Sequence, residues 1–295
     1  IPDSPWVIVS SMIDGGNLYA TDTRDYSSRA IFPAAALPPR PDTDLYGECP
    51  GPVTREFRPH GINLREGNSG LHTLYVVGHG ARESVEVFEI DARAATPTAT
   101  WVGCVIAPDG TGLNSVAALP DGGFVATNFQ RPEGEVWEWQ SESGWTRVPG
   151  SVTNGPNGVE ASTDGQWLFI GGWGTQSLIR ISRGRTPVEV DAADVGFHID
   201  NVRFAPDGSL LAAGHVGPTP DAIFTCLRER QCDGVRSRVA RVDVLTLAVE
   251  DLVSYPPSDT FILGTVALEV GDELWIGGIA GGDRIVRLPA ATLPR

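Results

Sequence analysis

NSVAALPDG (residues 114–122), NGVEASTDG (157–165) and DNVRFAPDG (200–208) align without a gap. Each opens on a polar side chain, sets Val two places on and reaches Asp-Gly after seven, so that Asp121, Asp164 and Asp207 stand 43 residues apart both times. A second apolar run follows every turn: FVATN (124–128), WLFIGG (167–172) and LLAAG (210–214). An apolar run, Asp-Gly and another apolar run is the signal of a β-hairpin.

Two further units follow the pattern with looser turns, HGINL (60–64) with LYVVGH (74–79) and GTVAL (264–268) with LWIGG (274–278). A sixth begins at VIV (7–9), passes Asp14-Gly15 and continues in LYAT (18–21), with Val7 at the polar position. A third apolar run closes several units, as in SVEVFEI (84–90), SLIRIS (177–182) and RIVRL (284–288). Six strand-turn-strand repeats predict an all-β, six-bladed β-propeller with a central channel, formed as one domain over residues 1–295. The Pro-rich stretch 33–52 reads as a long connection within that fold, and no helical periodicity competes with the strands.

Composition agrees. Gly (35) and Pro (23) make up about a fifth of the 295 residues, which excludes a helical bundle. No apolar run approaches the roughly 20 residues of a membrane-spanning helix. A net charge of −15 argues against a nucleic-acid partner, since phosphate binding needs a basic face. All 22 basic residues are Arg, so lysine Schiff-base chemistry is excluded. Cys49, Cys104, Cys226 and Cys232 form no C-x-x-C pair; Cys226 and Cys232 bracket TCLRERQC closely enough to bridge. The even count favours disulfides and a secreted or periplasmic location.

In a propeller the inner strands present equivalent positions to one axis. Here those positions are Val7, His60, Asn114, Asn157, Asp200 and Gly264, with Asn201 beside Asp200. A single Asn or Asp before a strand caps a turn. Several in one register offer hard oxygen donors, which suit Ca²⁺ and suit zinc poorly.

With HGI (60–62), VVGHGARESVEVFEID (76–91), GLNSVAAL (112–119), PNGVEAS (156–162), HIDNVRFAPDG (198–208) and AAGHVG (212–217), the chain resembles the serum paraoxonase (lactonase/arylesterase) family. More distantly it is similar to the senescence-marker/gluconolactonase propellers. The resemblance runs from about residue 55 to 290 and implies a six-bladed propeller. It further implies a catalytic calcium held by Asn114, Asn157, Asp200 and Asn201, a histidine dyad of His60 and His79, and a channel-mouth histidine at His215. The family's acidic residue after the first Asn is Ser115 here, and its first-blade carboxylate ligand is replaced by Val7.

The chemistry expected of such a site is hydrolysis of a lactone or ester. Calcium polarises the carbonyl, His60 is the general base, His79 orients it and Asp200 shares the base role. His198, His215 and Trp173 are expected to wall the substrate; His72 is given no role. A serine triad is unsupported, since no G-x-S-x-G elbow occurs. Two alternatives stay open: a propeller that only binds a partner, and a metal-free enzyme of the strictosidine-synthase kind.

Overall fold

The computed structural model describes residues 1–53, 56–280 and 284–293. Six small antiparallel sheets, one for each expected unit, make the fold a six-bladed β-propeller. The first sheet is β1 (Trp6–Ser10), β2 (Leu18–Asp22) and β3 (Ser28–Phe32). After a four-residue helix α1 (Thr43–Tyr46) come β4 (Phe57–Arg65), β5 (Leu71–Gly80), β6 (Ser84–Asp91) and β7 (Thr98–Ile106). The third sheet is β8 (Leu113–Ala118), β9 (Phe124–Asn128), β10 (Glu135–Gln140) and β11 (Gly144–Arg147). The fourth is β12 (Pro156–Ala161), β13 (Trp167–Gly172), β14 (Ser177–Ser182) and β15 (Val190–Asp194). In the fifth, β16 (His198–Phe204) and β17 (Leu210–Val216) precede helix α2 (Pro220–Glu229), then β18 (Arg236–Val242) and β19 (Val249–Tyr255). The sixth is β20 (Leu263–Val270), β21 (Glu273–Ala280) and β22 (Ile285–Pro289).

By its internal contacts the chain forms two compact units, residues 1–129 with 137–147, and residues 130–136 with 148–295. In the first, Leu18, Phe32, Phe57, Leu74 and Phe88 fill the space between the first two sheets, and Tyr75, Val87, Val116 and Phe124 that between the next pair. In the second, Phe169, Phe197, Ile199 and Leu210 join the fourth and fifth sheets, and Leu211, Val239, Phe261 and Ile276 the fifth and sixth. Full burial of such a side chain stabilises by about 1.5–3 kcal/mol. This alternation of inward apolar residues is what the hairpin pattern encoded.

Five of the six inner strands break register at or one residue beyond the position singled out by the repeats: between Pro59 and Ile62, Leu113 and Val116, Pro156 and Val159, Ile199 and Asn201, and Gly264 and Val266. A bulge removes a residue from the ladder and re-aims its side chain. Strand β1 has no bulge. With LYAT (18–21) set against LYVV (74–77), its pairs Trp6–Asp22 and Ile8–Ala20 match Pro59–Gly78 and Ile62–Val76, so Val7 stands in an unbroken ladder where β4 has His60 and Gly61. Ser10 Oγ of the same strand donates to the His60 carbonyl at 2.7 Å.

Close approach between inner strands requires glycine at two points. A Cβ on Gly61 would lie 2.4 Å from the Asn114 carbonyl oxygen, and one on Gly158 2.5 Å from the Asn201 Cα. The two disulfides are Cys49–Cys104 and the expected Cys226–Cys232. Helix α2 was not expected; Thr219 caps it by accepting from the Ala222 N–H, and the second disulfide runs from Cys226 within it to Cys232 just beyond.

Candidate functional site

The expected residues fall into two groups, each within one unit. In the first unit, His60 stands at the bulge of β4 and His79 near the end of β5. Their rings meet, His60 Nδ1 lying 3.0 Å from His79 Nε2. The chain of contacts continues where no motif pointed: His79 Nδ1 is 2.8 Å from Glu83 Oε2, and Glu83 Oε1 accepts from the Leu113 N–H at 2.7 Å. Glu83 lies in the turn between β5 and β6, four residues after His79, a spacing visible in the sequence but lacking a recognisable pattern. Desolvation pushes the His60 imidazole down to about 3, reinforced by the charges of His79 and Arg58. Above mildly acidic pH His60 is therefore neutral and free to accept a proton.

The turn that presents Glu83 is held from several sides. Arg82 binds Glu86 through Nε and Nη2 at 2.8 and 2.9 Å, and its Nη2 also donates to the Gly51 carbonyl. Glu86 is 1% exposed and accepts further bonds from Ser84 Oγ and Trp101 Nε1. A buried carboxylate is tolerable only with partners of this kind. Asn114 stands on β8, one residue beyond the Leu113 amide that Glu83 binds.

In the second unit, Asn157 stands on β12, and Asp200 and Asn201 on β16. Asp200 Oδ2 pairs with His215 Nε2 at 3.2 Å, while His215 Nδ1 donates to the Gly264 carbonyl at 3.1 Å. Asn201 Nδ2 donates to Asp200 Oδ1 at 2.9 Å and to the Thr265 carbonyl at 3.1 Å. His198, directly across the ladder from His215, donates through Nδ1 to the Trp173 carbonyl and accepts from Gln176 Nε2 at 3.1 Å. Burial lowers its pKa. Its ring stacks on Trp173 at 4.2 Å; Phe224 of α2 lies 5.1 Å from the indole, and the Arg131 guanidinium 5.0 Å over it. His198 and Trp173 are each 3% exposed, so both are buried.

The donor set in the second unit fits a hard cation. Its atoms are all oxygens, and Asp200 is partly exposed, its Oδ1 accepting from Asn201 and its Oδ2 3.2 Å from His215 Nε2. Asn201 spends its Nδ2 on Asp200 and Thr265, which leaves Oδ1 as its atom for a metal. Among the described residues no three His, Cys, Asp or Glu side chains are grouped to hold an ion, so a metal here depends on amide oxygens beside one carboxylate. Two cavities of about 490 and 460 Å³ open elsewhere in the first unit, sharing His72 and including neither His60 nor His79. Among the described residues no helix is long and apolar enough to cross a membrane.

No family model matches the chain, and no curated protein does. Solved structures share its fold. A chain of a nidogen/laminin complex is similar at TM-score 0.57 and 8% identity, over 96% of this chain and 89% of that one. A protein of unknown function from Bacteroides caccae gives TM-score 0.54 at 9% identity, over 97% and 91%. A luciferin-regenerating enzyme gives 0.51 at 10%, over 98% and 93%. The class is thus a six-bladed propeller whose structural neighbours include an enzyme.

Proposed function

We propose that the chain is a hydrolase that opens lactones or cleaves esters with the help of calcium. The contact between His60 Nδ1 and His79 Nε2 carries the reading, because a neutral imidazole backed by a second one is the arrangement a general base needs. His60 withdraws a proton from water, the hydroxide adds to the carbonyl carbon, and the proton is returned to the departing oxygen. Calcium, when bound, polarises the carbonyl and stabilises the oxyanion. Asn157, Asp200 and Asn201 would hold it; His215 keeps the Asp200 carboxylate oriented. Both cysteine pairs are bonded, which supports a secreted or periplasmic location.

The test is turnover of a panel of aliphatic lactones and aryl esters with and without a calcium chelator. Wild type is expected to turn over at least one substrate only with calcium. Asp200→Ala should lose calcium binding and activity together, and His60→Gln should lose activity while calcium still raises its melting temperature. A purely partner-binding propeller turns over nothing. Full activity after exhaustive chelation would overturn the calcium role, and wild-type turnover by His60→Gln the base assignment.

A further inference from the structure

We infer that Glu83 is the positioning residue of the histidine pair: it fixes the tautomer of both rings and so leaves the lone pair of His60 on Nε2. The inference rests on the hydrolase reading for its consequence, but its geometry stands by itself. Glu83 offers two acceptor oxygens to two donors. One is the Leu113 backbone N–H, which cannot change; the other is His79 Nδ1. An ionised carboxylate only accepts, so the proton of His79 must sit on Nδ1. His79 Nε2 is then an acceptor, and His60 must donate to it from Nδ1. The unprotonated nitrogen of His60 is therefore Nε2, the atom not engaged by its neighbour.

The same chain resolves a difficulty in the chemistry. A desolvated imidazole flanked by Arg58 is a poor resting place for a second proton. When His60 accepts one at Nε2, its Nδ1 proton can pass to His79 Nε2 and the Nδ1 proton of His79 towards Glu83. The charge that develops ends against a carboxylate. Glu83 is itself held in place by Leu113, by the Ala107 N–H on its own carbonyl at 3.0 Å, and by the anchored Arg82 before it. Such support is what keeps a site within the tolerance catalysis requires.

Glu83→Gln tests this sharply, because glutamine carries one acceptor and one donor. With its carbonyl on the Leu113 N–H, its amide NH₂ faces His79 and drives the His79 proton to Nε2. That in turn places the His60 proton on Nε2 and removes the base. The ring-nitrogen shifts of ¹⁵N-histidine-labelled protein report this directly, and only five histidines need assignment. Wild type should show His60 and His79 both protonated on Nδ1, and Glu83→Gln both protonated on Nε2. On any ester that wild type turns over, kcat should fall by about 10²–10⁴-fold with KM little changed. Unchanged tautomers in a folded Glu83→Gln would overturn the inference, as would wild-type kcat. Glu83→Ala, checked by its melting temperature, guards against reading misfolding as lost positioning; it should lose kcat while retaining its fold. If wild type hydrolyses nothing, the hydrolase reading fails while the tautomer measurement still decides the role of Glu83.

Discussion

His60 links local chemistry to stability. Its folded-state pKa, about 3, lies below the ordinary value of 6.5, so the unfolded chain binds the extra proton first. Stability contributed by the neutral ring is complete above pH 6.5 and is lost as pH falls from there towards 3. His198, also lowered by burial, acts in the same direction. Between pH 7.5 and 4.5 His60→Gln should therefore lose about 2 kcal/mol less than wild type, measured by urea unfolding at the two pH values. Equal losses would mean that His60 is not desolvated in solution. Of the residues in this group, His60 was legible from its register position in the repeat, and His79 as its partner through the family resemblance. Glu83 was not, since its contact is made through a turn whose path no periodicity describes.

Among the elements, the inner strands carry the site and their spacing depends on glycine. Gly158→Ala would press a methyl group to 2.5 Å from the Asn201 Cα and 2.7 Å from the Val202 N, both backbone atoms that cannot rotate away. We expect a loss of about 1–3 kcal/mol by denaturant titration, as for other overpacked positions. Weaker calcium binding should accompany it, because Asp200 and Asn201 ride on the displaced strand. A neutral outcome would show that β12 and β16 are less closely set than they appear. Asp-Gly turns and alternation made these strands legible in advance. Val7 was legible as the first-sheet counterpart of His60 because LYAT repeats LYVV, but the absence of a bulge there was not, since the repeat pattern does not encode it. Helix α2 escaped because a ten-residue insertion is too short for its periodicity to stand out. Thr219 and Pro220 were nonetheless an N-terminal signal that could have been read.

For the whole molecule, each compact unit has one covalent tie, and the two differ in what they constrain. Cys49 and Cys104 are 55 residues apart, Cys226 and Cys232 only 6. Loop-closure entropy predicts roughly 4 kcal/mol of stabilisation from the first and roughly 2 from the second. Paired Cys→Ala variants should reproduce that order in thermal melts, and a reversed order would point to strain or residual structure in the unfolded chain. Nothing in the spacing of Cys49 and Cys104 points to the longer tie; of the three pairings four cysteines allow, it is reached only by elimination once the short one is granted.

The bulges in the inner strands bear on how such a scaffold changes over generations. A residue lifted out of the ladder is released from the in-out alternation that governs its neighbours, so its identity can vary while the hairpin is inherited intact. His60, Asn114, Asn157 and Asp200 occupy such sockets, and the variety among them is what that freedom allows. On the sixth sheet the residue passed over by the ladder is Thr265, while Gly264 beside it stays paired with Gly278. That socket therefore already holds a polar side chain, and a change in its chemistry takes a single substitution at Thr265, with the hairpin around it left as it is.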